Sequence, residues 1–513
     1  MTRTLYSMMQ DPDYEEHVLA EADRVQRLET DVKSVVGNDG AKKLCPCHDN
    51  WEVHVTETLE KMRRLDDNSD AALAAYLALR VEGNLLFDRA ENAWYGQTTG
   101  LWHRMAPGSE LHWLQSIALD MRDRLLGDRR AKYLATMRSN RKAKAVLESL
   151  ATQPYIAAAG DIWDQDPYLL GTANAVVDLR TGQPVEASAE MHIRRQTSVP
   201  FVYWSEATRP TKFIEATQLI LPDPEVWRYV MRALGYAMTG LTTEQVWFFF
   251  HGLGENGKTF LAETLRLILG NAEKGGYAYA GKPDTFTVAS IKNPINYGAA
   301  MNAMRGARLV IVPEISKGEL DTDLMKALSG GEPVTYRAPY ARADVTYTPN
   351  AHLILYANSR PTITDSSHGN WRRLIEVPFN VVIPPERRVP NYWEVLYAEE
   401  GPGIQRLLID AAGQYLREGL LPVPEAIRAA TTDYRESSDP FAVWLNERTE
   451  RTVRGGWRAQ MAYLSYDRWC DENRERPMGS KDFYQRLGTL PGVVKQARND
   501  GKYYLGIGPL DAE

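Results

Sequence analysis

Cysteine, long hydrophobic runs and an excess of positive charge are all lacking in this chain. Its 513 residues include only three cysteines, too few for the disulfide framework on which small secreted domains depend. No stretch approaches the ~20 apolar residues of a membrane-spanning helix. The first 17 residues include four acidic ones, where a secretory signal carries an apolar run. These absences predict a protein of a reducing cytoplasm with no membrane partner.

The charge balance restricts how the chain can contact nucleic acid. There are 60 lysines and arginines against 67 aspartates and glutamates, a formal net charge of −7. A protein that coats nucleic acid with its whole surface is basic, so any such contact is expected to be local, in a channel or patch. The composition is that of an ordinary globular protein, and the length suggests three or four domains.

The pattern of hydrophobic residues changes along the chain. Short apolar strands at 246–250, 309–312 and 353–357 alternate with helical segments, which predicts an α/β fold with a mostly parallel sheet. Helical spacing dominates on both sides of this region. The predicted domains are a helical N-terminal segment at 1–85, a mixed α/β domain at 86–205, an α/β core with a helical lead-in at 206–385, a helical connector at 386–435 and a small C-terminal domain at 436–513.

Residues 252–259, GLGENGKT, match the phosphate-binding pattern G-x-x-x-x-G-K-[ST] at every fixed position. Glycines let successive backbone N–H groups turn towards phosphates, a lysine reaches the β- and γ-phosphates, and a hydroxyl binds Mg²⁺. An apolar strand precedes the motif, and a helix that ends at Gly270 follows it. The pattern predicts a site for ATP and Mg²⁺ and makes an incidental glycine turn the weaker alternative. The predicted cofactor-binding residues are Gly252, Gly254, Asn256, Gly257, Lys258 and Thr259.

Three more polar residues stand where strands of such a core begin or end. Glu314 follows the apolar strand 309–312 and is a candidate to hold Mg²⁺ or polarise the attacking water. Asn358 ends the next strand, where an amide orients that water, and Arg373 precedes a fourth strand, where an arginine stabilises transition-state charge. The plainer alternatives are a solvated glutamate, a turn asparagine and a surface salt bridge.

Five segments follow one another in order: GLGENGKT, VIVPE, KALSGGEPVTYRAPY, LILYANSRP and WRRLIEVPF. Their order resembles that of superfamily 3 helicases, and more closely the C-terminal helicase portion of phage and poxvirus primase–helicases. Residues 166–185 and 234–245 resemble the domain that precedes the ATPase in that family.

The resemblance implies an AAA+-like P-loop ATPase core and a homo-oligomeric ring, expected to be a hexamer. It also implies an ATP hydrolase and DNA helicase that translocates on single-stranded or forked DNA, 3′-to-5′, in phage or mobile-element DNA replication. For a phage-encoded chain the compartment is the host cell cytoplasm. The alternative is an ATP-switched origin-binding or helicase-loading initiator without processive unwinding.

At the level of single residues, this chain matches some of the family's motif positions and departs from others. Lys258, Asn358 and Arg373 match catalytic positions of the family, and Thr259 and Glu314 match the Mg²⁺ positions, with Glu314 also catalytic. Pro313 stands where many members have a second acid, so the role of Glu314 is left open between metal and water. Residues 1–85 lack the polymerase-like primase domain of many relatives, which predicts a separate primase or polymerase as partner.

Three regions are candidates for contact with DNA. Residues 334–347 read as a hairpin, which the resemblance makes the pore-lining loop, with Arg337, Tyr340 and Arg342 as the DNA-binding residues. Ala341 stands where a basic residue is frequent in the family, and a plain surface hairpin is the alternative. The basic stretch 122–144 and the C-terminal domain, whose helices and final hairpin resemble a winged helix, are the other two candidates.

A metal site near the N-terminus is the least favoured prediction. Cys45, Cys47, His48 and His54 lack the usual C-x₂₋₄-C spacing of zinc ligands, and no second cysteine pair follows. These residues are expected to belong to a loop.

Overall fold

The computed structural model describes residues 69–510 except 82, 99, 125–128, 159–161, 290–293, 316–317, 338–343, 366, 452–455, 474 and 476. The candidate metal ligands Cys45, Cys47, His48 and His54, and most of the predicted helical segment 1–85, lie outside these residues. The chain divides into two compact units, Met1–Asp178 with Gln183–Gln196 and Leu179–Gly182 with Thr197–Glu513. Within the described part, no helix is long and apolar enough to cross a lipid bilayer.

The first unit combines helices with two small sheets. The elements are α1 (Asp70–Arg80), β1 (Leu85–Asp88), β2 (Ala93–Thr98), β3 (Leu101–Arg104), α2 (Ser109–Arg124), α3 (Arg129–Ala135), α4 (Asn140–Leu150), β4 (Ala157–Ala158), β5 (Leu169–Gly171), β6 (Val176–Asp178) and β7 (Gln183–Val185). One sheet has the order β3-β2-β1-β4 and the other the order β5-β6-β7.

A buried arginine organises the polar part of this unit. The Arg194 guanidinium lies 2.6 Å from the Glu91 carboxylate and 3.7 Å from that of Asp164. It also stacks over the Trp163 ring, 5.4 Å from the centroid. A buried charge needs such partners because its desolvation is otherwise unfavourable. Glu91, Asp164 and Trp163 together supply the partners that the buried Arg194 guanidinium needs.

The second unit is built on a parallel sheet with helices around it. Its elements up to residue 437 are α5 (Thr211–Ile220), α6 (Pro224–Ala237), β8 (Trp247–His251), α7 (Lys258–Leu269), β9 (Ala278–Ala280), α8 (Pro294–Met304), β10 (Leu309–Pro313), α9 (Thr322–Gly330), β11 (Val334–Tyr336), β12 (Val345–Tyr347), β13 (His352–Ala357), α10 (His368–Trp371), β14 (Leu374–Pro378), α11 (Tyr392–Glu418) and α12 (Glu425–Ser437).

Five strands form the central sheet in the order β14-β8-β13-β10-β9. All four neighbouring pairs are parallel, which confirms the predicted parallel sheet and the α/β class. Strands covered on both faces are continuously apolar, and every residue of β13 is buried. The helix after residue 257 ends at Gly270, as predicted, where φ is +73°.

The C-terminal part of this unit has its own aromatic core. It contains an antiparallel sheet of three strands in the order Gly456–Arg458, Gly501–Leu505, Val494–Arg498. The helix that begins at Ser480 has Gly479 at its N-cap. The elements are α13 (Pro440–Arg448), β15 (Thr449–Glu450), β16 (Gly456–Arg458), α14 (Ala459–Asn473), α15 (Ser480–Gly488), β17 (Val494–Arg498), β18 (Gly501–Leu505) and β19 (Gly508–Pro509).

At Gly235 the α6 helix packs closely against the backbone of α11. A Cβ atom at Gly235 would lie 2.3 Å from the backbone carbon of Ala411 and 2.5 Å from the backbone nitrogen of Ala412. Because backbone atoms cannot turn away, Gly235→Ala is expected to lower the free energy of unfolding by about 1–3 kcal/mol. Gly369→Ala is the matched control, since nothing lies within 4 Å of its added Cβ. Equal denaturant midpoints for the two variants would contradict the close packing.

Candidate functional site

The parallel register brings three chain segments to one edge of the sheet. Ala357 of β13 pairs with His251 of β8, and Pro313 of β10 pairs with Tyr356 of β13. The next residues along these strands are Gly252, Asn358 and Glu314. Ligands of open parallel sheets bind outside the carboxyl ends of the strands. This edge is therefore the candidate functional site.

Residues 252–259, the 252–259 loop, turn back on themselves between β8 and α7. Gly254, Glu255 and Gly257 have φ values of +108°, +52° and +85°. Two of these left-handed positions are glycines, which adopt them without a Cβ clash, whereas Glu255 is strained. Successive turns of this kind aim backbone N–H groups into a concavity that accepts an anion. The α7 helix begins at Lys258, so its positive N-terminal end faces the same place.

The side chain of Lys258 lies inside the loop and is only 3% exposed. Its ammonium donates hydrogen bonds to the Gly252 carbonyl at 2.7 Å, to Asn256 Oδ1 at 2.9 Å and to Asn358 Oδ1 at 3.1 Å. Burial lowers the pKa of Lys258, and the charge of Glu314 acts in the opposite direction. The site therefore concentrates positive charge where the loop is concave.

Two oxygen-bearing side chains lie beside the lysine. Glu314 is exposed, and its φ is +49°, an uncommon backbone conformation for a residue with a side chain. The Thr259 hydroxyl hydrogen-bonds to the Tyr356 phenol, whose pKa is raised to about 12 by burial first and then by nearby acids that include Glu314. Hydroxyl and carboxylate oxygens are hard donors that suit Mg²⁺. No group of three or more His, Cys, Asp or Glu side chains that could hold a metal ion occurs in the described residues.

Arg373 lies at the opposite edge of the sheet. Its carbonyl accepts a hydrogen bond from Trp247 at the start of β8, at 2.8 Å. A strand rises ~3.3 Å per residue, so this point is roughly 16 Å from the 252–259 loop. The guanidinium is buried and donates to the Lys326 carbonyl at 3.3 Å and Ser329 Oγ at 3.4 Å. Its neighbour Arg372 is exposed and donates to Gln245 at 3.0 Å.

The predicted hairpin at 334–347 is confirmed as the antiparallel pair β11–β12. Thr335 and Thr346 hydrogen-bond across it at 2.8 Å. Arg337 is exposed and lies 2.7 Å from the Asp344 carboxylate. The other two predicted DNA-binding residues, Tyr340 and Arg342, lie outside the described residues.

A buried carboxylate next to the 252–259 loop escaped the sequence prediction. Glu376 of β14 is 1% exposed; its Oε1 lies 2.8 Å from His251 Nδ1 and 3.0 Å from Arg360 Nη2. Arg360 also pairs with Asp433 of α12 at 2.7 Å. The sequence did contain a signal for it, the acidic residue inside the apolar strand LIEVP. An acid that is buried in such a strand requires charged partners.

In the C-terminal part, one basic residue of the predicted DNA-contact region has an internal role. The Arg486 guanidinium pairs with the Asp439 carboxylate and lies 4.6 Å from the centroid of the Phe441 ring. Arg486 therefore joins α15 to the start of α13.

Comparison with known proteins matches residues 74–228 to the family described as D5 N terminal like. "Putative helicase L207/L206" of Acanthamoeba polyphaga mimivirus is 26% identical over 315 residues, 57% of this chain and 32% of that protein. "Putative helicase 022R" of Frog virus 3 is 22% identical over 487 residues, 79% of this chain and 48% of that protein. "Putative primase C962R" of African swine fever virus (isolate Warthog/Namibia/Wart80/1980) is 26% identical over 216 residues, 41% of this chain and 22% of that protein.

The chain spans less than half the length of these three curated relatives. Among solved structures, the A form apo structure of the NrS-1 C terminal region aligns with 84% of this chain and 98% of its own, at 13% identity and a TM-score of 0.45. The family match and the viral relatives support the predicted resemblance to the phage and poxvirus primase–helicase family.

Glu376 and Asp433 give a matched pair, because both carboxylates bind Arg360. Glu376→Ala leaves Arg360 and His251 without their buried partner and is expected to lower the free energy of unfolding by about 2–4 kcal/mol. The Asp433 side chain is 72% exposed, so Asp433→Ala should cost less than about 1 kcal/mol. Denaturant unfolding of the two variants measures the difference. A similar loss in both would show that burial of Glu376 does not set the strength of the network.

Proposed function

We propose that the chain is an ATP-driven DNA helicase that acts in the replication of a virus, phage or mobile element. The proposal includes an AAA+-like P-loop ATPase core, a homo-oligomeric ring, expected to be a hexamer, and 3′-to-5′ translocation on single-stranded or forked DNA. The observation that carries it is the meeting of the 252–259 loop, Asn358 and Glu314 at one edge of a parallel sheet. The viral relatives, two named as helicases and one as a primase, support the same reading.

In this proposal the 252–259 loop holds the phosphates of ATP. The backbone N–H groups around Gly254 and Gly257 contact the phosphate oxygens, and Lys258 exchanges its present protein acceptors for the β- and γ-phosphates. Thr259 and Glu314 would supply oxygen atoms for Mg²⁺. When bound there, the ion would supply positive charge that balances the transferring phosphoryl group.

Two residues act on the attacking water. The Glu314 carboxylate accepts the proton of the water or orients it, and its exposed position beside the loop allows either. The Asn358 amide has its oxygen directed to Lys258, which leaves its N–H₂ group free to face the γ-phosphate side. Positioning and electrostatic stabilisation account for most of the catalysis in phosphoryl transfer.

Arg373 completes the site of a neighbouring subunit. Because it lies at the amino edge of the sheet, it is too far from the 252–259 loop of its own chain to reach the same nucleotide. The described residues hold it by two hydrogen bonds longer than 3.2 Å to neutral acceptors. An arginine held this weakly by its own chain is available to a partner. Arg372, which is exposed, is the second candidate for this role.

DNA contact is assigned to the tip of the β11–β12 hairpin. Arg337 and Arg342 meet phosphates there, and Tyr340 stacks on bases, a combination that binds single strands without sequence preference. The exposure of Arg337 at the base of the tip supports this assignment. The C-terminal part is proposed as a winged-helix-like domain, and primer synthesis is assigned to a separate primase or polymerase.

ATP hydrolysis is expected to depend on Lys258 and Glu314 at different steps. Lys258→Ala loses phosphate contacts and should bind ATP poorly. Glu314→Gln keeps the shape of the site but cannot take a proton, so it should bind ATP and hydrolyse it at least ~100-fold more slowly. Equilibrium binding of a fluorescent ATP analogue and release of phosphate separate the two effects. Near wild-type turnover by Glu314→Gln would place the acid elsewhere.

Arg373 is expected to act across the subunit interface. Arg373→Ala should bind ATP yet lose about 10³–10⁵-fold in hydrolysis rate, the range of an arginine supplied in trans. Mixed with Lys258→Ala, it should regain part of the activity, because some interfaces combine an intact loop with an intact arginine.

The same mixture with Arg372→Ala in place of Arg373→Ala is the matched control. Recovery only in that mixture would move the role to Arg372. Normal ATP hydrolysis by Arg373→Ala alone, or mixed rings that stay as inactive as both parents, would contradict a shared site.

A further inference from the structure

Residues 379–392, here called the strap, leave β14 and pass along the 252–259 loop. The Ile383 N–H donates to the Glu255 carbonyl at 2.9 Å, and the Arg388 guanidinium lies 2.5 Å from the Glu255 carboxylate. The Asn256 amide N–H₂ donates to the Phe379 carbonyl at 2.9 Å. Two consecutive residues of the loop are thus attached to the strap from outside the candidate site.

Asn256 is the buried attachment point. The residue is 3% exposed, and while its nitrogen donates to Phe379, its oxygen accepts from the Lys258 ammonium at 2.9 Å. A Cβ atom at Gly252 would come within 2.2 Å of both the Asn256 nitrogen and the Phe379 oxygen. The bond between loop and strap therefore fills the space that a side chain at 252 would take.

Glu255 shows why the loop needs this support. Its φ of +52° is a conformation that glycine or asparagine adopts more readily. Such a conformation persists only where surrounding contacts hold it. Here the strap provides one backbone hydrogen bond and one ion pair to Glu255 itself and the buried bond to the next residue.

We propose that Asn256 is a positioning residue that clamps the 252–259 loop to the strap and directs Lys258, rather than a residue that contacts the nucleotide. The strap thereby keeps the loop in the shape that accepts phosphates before ATP arrives. The inference rests on the proposed function for its link to ATP. Its structural part concerns the protein without nucleotide and can be tested separately.

The first test is amide hydrogen exchange in the nucleotide-free protein. Asn256→Ala is expected to exchange faster than wild type in peptides from 379–392, because the strap loses its buried attachment. Lys258→Ala is the matched control: it removes the other partner of Asn256 but leaves the bond to Phe379, so its strap should exchange as in wild type. Unchanged exchange of the strap in Asn256→Ala would overturn the proposal.

A second variant covers the case in which Asn256→Ala does not fold. Asn256→Asp keeps the volume and the acceptor for Lys258, but a carboxylate cannot donate to the Phe379 carbonyl. The same faster exchange of the strap is expected. Protection equal to wild type in this variant would likewise overturn the proposal.

A double-mutant cycle on ATP affinity tests the link to function. Asn256→Ala should raise the Kd for ATP about tenfold, the size of one lost buried hydrogen bond. The Arg388 and Glu255 side chains are 34% and 61% exposed, so Arg388→Ala should raise it only about twofold. Together they should raise Kd by less than the product, because both act through the strap.

Effects that multiply would mean that Asn256 acts on the nucleotide directly and would overturn the positioning role. A wild-type protein that binds no ATP would instead overturn the proposed function. The exchange measurement would still decide whether Asn256 holds the strap.

Discussion

The register of the parallel sheet is the constraint on which the candidate site depends. Gly252, Asn358 and Glu314 come from three separate stretches of chain. They meet because β8, β13 and β10 are parallel and end within one residue of one another. A slip of one residue in either pairing would turn each side chain to the other face of the sheet. Apolar side chains that are buried on both faces of these strands hold the register. Packing at the centre of the unit thus positions the candidate residues at its edge.

The two ends of the same sheet carry different candidate residues. Polar groups that suit a nucleotide lie at the carboxyl ends of the strands, whereas Arg373 and Arg372 lie at the amino end of β14. A chain built in this way cannot bring both sets to one nucleotide by itself. The proposed hydrolysis therefore requires that the chain self-associates. This requirement follows from the geometry of the sheet and does not depend on the viral relatives.

Local patterns in the sequence predicted the parts of this arrangement that depend on nearby residues. The glycines of the 252–259 loop, the apolar strands and the stop at Gly270 are all signals within a few positions. Contacts between distant residues were not predictable in the same way. The Asn256–Phe379 bond joins residues 123 positions apart, and the partners of Glu376 are known only once β14 lies beside β8. The burial of Arg373 also depends on α9, which no local pattern places there.

In the proposed function, ATP hydrolysis at the 252–259 loop separates DNA strands. The most direct measurement is the release of a labelled strand from a forked duplex with a 3′ single-stranded arm. The wild-type protein is expected to release the strand with ATP and Mg²⁺, but not with a non-hydrolysable ATP analogue, and Glu314→Gln should fail with ATP as well. Hydrolysis of ATP by the wild-type protein with no strand release from forks of either polarity would contradict the account.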